Sequence, residues 1–244
     1  MAAINAKSLI AAFPLPMGLM LLPLIDTAGI DPANRTSAVA GWMLLLLIGQ
    51  SITAILAGAL CRNFRHFYRA GIISGAAAMT AEAIGCATGL IPAAVILQTG
   101  AVFVGWGLFC TALAGRIGSW NIGLAVPAAM TIAGMLIFSP IIFTPLYLVL
   151  QHSWAHGTWL TEILVNMSPA IWMLNALATG IHYNWFTWFH APIMYQHVVL
   201  GQNTLMTTLW PWWLASAAAG VGGIILAAAP GRKHPGSCGN PDSP

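Results

Sequence analysis

Charge is what this sequence has least of. Eight Lys and Arg with five Asp and Glu make up 5% of 244 residues, where a water-soluble domain carries about a quarter. So few charges cannot solvate the surface of a chain this long, and a purely aqueous setting is excluded. The same scarcity excludes nucleic acid as a partner, because the basic residues are scattered and form no stripe. Cysteine is scarce too. Cys61, Cys86, Cys110 and Cys238 include no C-x-x-C pair, which argues against a disulfide frame and against a zinc site. Paired carboxylates, a phosphate-cradling glycine loop and a nucleophilic triad are missing, so an enzyme is not expected. Repeats of the solenoid kind are missing as well.

What is there is apolar: 59% of the residues are hydrophobic. The expected fold class is all-α, an integral membrane helical bundle. A helix that crosses a hydrocarbon core takes about 20 residues, and apolar stretches fall near 8 to 25, 38 to 60, 71 to 91, 93 to 115, 121 to 139 and 205 to 228. The first follows Lys7 as a signal peptide would, but it carries prolines and leads into Asp26 in place of a small-residue cleavage site, so it counts as a span. These six form one transmembrane domain over 1 to 230. Residues 140 to 204, rich in Trp and His with Glu162 as their one charge, form either a lid of interfacial helices or a hairpin that crosses and returns. Six spans with a lid are preferred to eight. The stretch 231 to 244, rich in Pro, Gly and Ser, reads as a disordered tail.

Basic residues set the orientation, since short loops rich in Lys and Arg stay cytoplasmic. Lys7, the Arg62, Arg65 and Arg69 group, Arg116, and the Arg232 and Lys233 pair all fall on one side when the number of spans is even. Arg35 alone lies opposite, with Asp26 and Asp31. This predicts a multi-pass protein of the cell (inner) membrane with both termini cytoplasmic and 140 to 204 on the outer side.

The segment Phe13-Pro14-Leu15-Pro16-Met17-Gly18-Leu19-Met20 resembles the Asn-Pro-Ala-Pro-Leu-Gly-Leu opening of the first helix in the acetate uptake transporter family, called YaaH or SatP in bacteria. Ala54 to Leu60 resembles the end of that family's second helix, Gly105-Trp106-Gly107-Leu108-Phe109 its fourth, and Pro211 to Ala229 its last. The resemblance covers roughly 8 to 139 and 209 to 229. It implies a six-helix homo-oligomer in which each protomer passes acetate or a similar small carboxylate, with no cofactor. It implies a pathway past Pro14, Pro16, Met17, Gly18 and Leu22 of the first helix and Ala76 and Glu82 of the third. The chain departs from the pattern at Phe13, where the family has Asn, at Ala54, where it has Gln, near Ala76, where an aromatic narrows the pathway, and in the added 140 to 204 segment.

Pro14 and Pro16 each remove a backbone N–H, and carbonyls freed at membrane depth can bind a small solute. Alternatively the prolines simply start a helix at the interface. Glu82, read as near the middle of its span, shares one helix face with Gly71, Gly75, Ala78, Gly85 and Gly89. A carboxyl there is costly to insert and is functional, or is neutral within a packing seam. Its proton role is to donate a hydrogen bond to a carboxylate when neutral and to repel it when ionised. The Gly71/Gly75 and Gly85/Gly89 pairs, at Gly-x-x-x-Gly spacing, exceed the needs of one intramolecular crossing and suggest self-association. His152, His156, His182, His190 and His197 could ligate haem or copper in an electron-transfer subunit, or belong to an interfacial belt with Trp154, Trp159, Trp185, Trp188, Trp210, Trp212 and Trp213. A non-catalytic structural subunit that docks a partner is the third reading.

Overall fold

A computed structural model describes residues 6–23, 25, 32–61, 64–91, 93–139, 167–173 and 212–228. The regular elements among them are helices: α1 (Ala6–Ala11), α2 (Pro14–Leu21), α3 (Pro32–Ala59), α4 (Phe64–Ala87), α5 (Ala93–Gly118), α6 (Ile122–Ile137) and α7 (Trp212–Ala228), with one more helical turn at 169–173. No strand occurs among the described residues. Three stretches are long and apolar enough to cross a membrane: Ala38–Ala59, His66–Ala87 and Thr99–Gly118. Ala6–Leu21, Gly123–Ile137 and Leu214–Ala228 are apolar but shorter.

α5 is the axis of the bundle and packs against α3, α4, α6 and α7. Glycines in several seams let backbones meet closely, and the pairings fix the direction of each helix. Gly71 of α4 lies on Leu108 and Thr111, Gly75 on Val104, and Gly100 under the Met79 side chain, so α4 runs antiparallel to α5. Gln50 reaches Phe103, Ser51 reaches Trp106 and Gly58 lies on Thr111, so α3 runs parallel to it. α7 is also parallel, with Ser216 on Gly105 and Gly223 on Leu108 and Phe109. Gly18 on Ala81 and Leu22 beside Gly85 set α2 parallel to α4, while Gly118 beside Ala125 sets α6 antiparallel to α5. The start of α1 and the end of α7 therefore share one end of the bundle. Lys7, Arg69 and Arg116 mark it. Lys7 acts electrostatically on Cys61, Gly115 packs on Phe67, and the Arg116 guanidinium lies 5.5 Å from the centroid of the exposed Trp120 ring.

The first apolar stretch is a helix whose i,i+4 ladder is interrupted between α1 and α2. At Ala12 and Phe13, between α1 and α2, the bonds tighten to i,i+3, because Pro14 and Pro16 cannot donate backward. The two small-residue pairs that suggested self-association are consumed inside the protomer: Gly71, Gly75 and Gly85 sit in intramolecular seams, and Gly89, at φ +75°, forms the turn that ends α4. There Leu90 N–H donates to Gly85 O at 2.9 Å and Gly89 N–H to Cys86 O at 3.0 Å, a left-handed stop that suits glycine. Most of 140 to 204 lies outside the described residues, but 168–173 does not behave as a surface cover. Ala170, Ile171, Trp172 and Met173 belong to the main core. Trp172 meets Trp106, halfway along α5, edge to face with centroids 6.4 Å apart, and Ser168 Oγ donates to Ile137 O at 2.9 Å.

Candidate functional site

Polar side chains buried in an apolar bundle are the places to look for chemistry, since each must be hydrogen-bonded or explained. Glu82 is fully buried. Thr99 Oγ1 of α5 donates to its Oε1 at 2.7 Å, while Oε2 has no partner among the described residues. α4 begins at Phe64, seven residues before the apolar run, so Glu82 lies in its last two turns, five residues or about 7.5 Å from the end away from the basic cluster. The expected mid-span position is corrected accordingly: hydropathy dates the helix from Gly71, whereas the charged turn before it is helical too.

Deeper in the bundle, Gln50 of α3 is also fully buried. Its Nε2 donates to Phe103 O at 2.6 Å, one turn along α5 from Thr99. A Cβ built on Gly107 would lie 2.8 Å from Gln50 Nε2, 2.9 Å from Gly71 O and 3.6 Å from Gly75 N. Glycine at 107 is thus what admits the amide between the three helices, and places it level with Ser74, the residue before Gly75. Ser74 shares its helix face with Ala81, seven residues on, which packs where α2 meets Leu46 and Trp42 of α3. Gln50 Oε1 and Ser74 Oγ are both buried without a partner among the described residues. Ser74 and Glu82, eight residues apart on α4, stand about 12 Å apart along the axis. The core thus holds two polar levels, one at each.

Ser51 forms a third buried group, accepting from Trp106 Nε1 at 2.7 Å and donating to Leu47 O at 2.7 Å. It is satisfied, and so fixes the Trp106 ring on which Trp172 rests.

The expected pathway residues separate. Pro14 and Gly18 are buried. The carbonyls that the prolines leave without a normal donor are both taken: Phe13 N–H donates to Ile10 O and Leu15 N–H to Ala12 O, each at 3.1 Å. Tightening to i,i+3 bonds supplies the missing partners, so these carbonyls are not free for a solute. Gly18 O likewise accepts from Trp42 Nε1 at 2.9 Å. Met17 lies over Gly49 and Leu22 beside Gly85, both as packing. Pro16 and Ala76 face outward, Ala76 on the side of α4 away from Glu82. Of the residues named from sequence, only Glu82 retains an open polar atom.

Gln50, Ser74 and Thr99 were missed. Gln50 was legible as a lone amide in an apolar span, one turn before Ala54, where the family pattern calls for Gln. His152, His156, His182, His190 and His197 lie outside the described residues, among which no His, Cys, Asp and Glu cluster could hold a metal. No family model, curated protein or solved structure matches the chain.

Proposed function

We propose that this chain is a membrane transporter or channel that carries a small solute, a short monocarboxylate such as acetate, across the inner membrane. In this reading six main spans cross the bilayer, with the Lys7, Arg69 and Arg116 end and both termini on the cytoplasmic side. The observation that carries it is the pair of buried polar levels at Glu82 and at Gln50 with Ser74, each left with an oxygen that has no partner among the described residues, inside a mainly apolar helical core. Polar groups so placed are costly to insert and mark solute paths in membrane bundles. The double-proline opening and its family resemblance supply the solute class. The homo-oligomer rests on that resemblance alone, since the glycine pairs are used within the protomer; a strictly monomeric mass in detergent and in nanodiscs overturns it.

Uptake of labelled short carboxylates into proteoliposomes, scanned by chain length, tests the assignment. Protein-dependent uptake of the shortest acids is expected, and uptake no greater than in empty liposomes removes it. Replacing Glu82 by Gln keeps the size and abolishes titration. Wild-type pH dependence in that variant returns Glu82 to a packing role.

A further inference from the structure

We propose that Gln50 and Ser74 form a recognition pair for the uncharged carboxylic acid, and that this same pair accepts a small primary amide such as acetamide. The inference rests on the transport reading and adds the species carried. One of the two N–H groups of Gln50 Nε2 is committed to Phe103 O. Its atom without any partner among the described residues is Oε1, which can only accept. Ser74 Oγ, at the same level, can donate. One acceptor and one donor fit a molecule that carries a donor and an acceptor on one carbon. An undissociated acid gives its O–H to Gln50 Oε1 and takes the Ser74 hydroxyl on its carbonyl; a primary amide does the same through N–H and C=O.

A carboxylate ion has no proton for Gln50 Oε1, and burying it without a countercharge is unfavourable. Among the described residues the buried polar side chains are neutral apart from the carboxyl of Glu82, and none is cationic. The described basic side chains, Lys7, Arg69 and Arg116, gather at one end of the bundle. From the elements packed around the pair, the titratable side chains are Glu82 two turns away with Cys86 beyond it on α4, His66 and Tyr68 at the start of α4, and Cys110 on α5. Between Ala38 and Ala59, α3 brings none. Nothing described there would compensate an anion.

The test compares labelled acetate and labelled acetamide in proteoliposomes over a range of pH, each corrected for empty liposomes. The ratio is read in Glu82→Gln as well, where nothing titrates at that position, so that in the variant it isolates the charge of the solute. Acetamide is expected to enter. The acetate-to-acetamide ratio is expected to fall about tenfold per pH unit above the acid's own pKa, in step with the undissociated fraction. Ser74→Ala should lower both fluxes about tenfold, the worth of one buried hydrogen bond, and Ser74→Thr should restore them. Acetate entry without acetamide entry, or a ratio that ignores pH, overturns the inference and leaves the transport reading standing. Failure of both solutes removes the transport reading and this inference with it. Unchanged fluxes in Ser74→Ala overturn the residue assignment.

Discussion

At the scale of single residues, the structure assigns cost to atoms that hydropathy cannot see. Thr99 supplies the one hydrogen bond that Glu82 receives. Thr99→Val keeps the shape and leaves the carboxyl with neither oxygen partnered. A loss of about 1–3 kcal/mol is expected, read as a fall in unfolding midpoint in detergent, and an unchanged midpoint contradicts the pairing. Cys61 makes a different kind of prediction. Burial pushes its thiol up, partly offset by Lys7, so at a given pH it holds less thiolate than in the unfolded chain. Maleimide labelling of Cys61 should be slow in the folded protein and fast after denaturation, with the gap closing as pH passes the folded value. Linkage follows the same sign. Above the unfolded thiol's pKa the unfolded chain loses its proton first, so Cys61 makes folding less favourable as pH rises there.

Elements tell how far the sequence could be read. Apolar runs near 38 to 60, 93 to 115 and 121 to 139 correspond to α3, α5 and α6, because an all-round apolar helix announces itself by composition. The break between α1 and α2 was announced only by the prolines, since Ala12 and Phe13 are as apolar as their neighbours. Glu82 was legible as a charge inside a span. Ser74 and Thr99 were not: small hydroxyls average away in a hydropathy window, and their meaning, like that of the legible Gln50, depends on which helix stands opposite. The core role of 168–173 was hidden for the same reason. If the prolines do no more than shape a turn whose carbonyls are already paired, Pro14→Ala and Pro16→Ala should leave solute uptake within about twofold of wild type. A greater loss would show that they act on the solute directly. The α5–α7 seam should be far less tolerant. Cβ atoms at Gly105 or Gly223 meet backbone, and Gly→Ala at either should cost about 1–3 kcal/mol by overpacking, measured by the same midpoint.

For the whole molecule, the directions of the helices place the start of α1, the end of α5 and the end of α7 together. In the proposed orientation, a single cysteine replacing Ser119, in a chain whose own cysteines are removed, is expected to react with an impermeant reagent only from the cytoplasmic face. Labelling from the outer face would invert the proposed orientation while leaving the bundle intact. The same directions carry a consequence for biogenesis. α5 receives α7 into a trough floored by Gly105 and the Leu108 backbone, yet more than ninety residues of chain separate Gly118 from Trp212. In the proposed membrane setting the trough is expected to stand open to lipid during synthesis until α7 has been made, because no earlier helix among the described residues fills it. A nascent chain released before Trp212 would carry a complete set of α1 to α6 and still present an unsealed flank, which is what membrane quality-control proteases recognise. Truncations short of this late-made helix are therefore expected to be cleared faster than full-length chains that differ only within α6, as pulse–chase in cells would show.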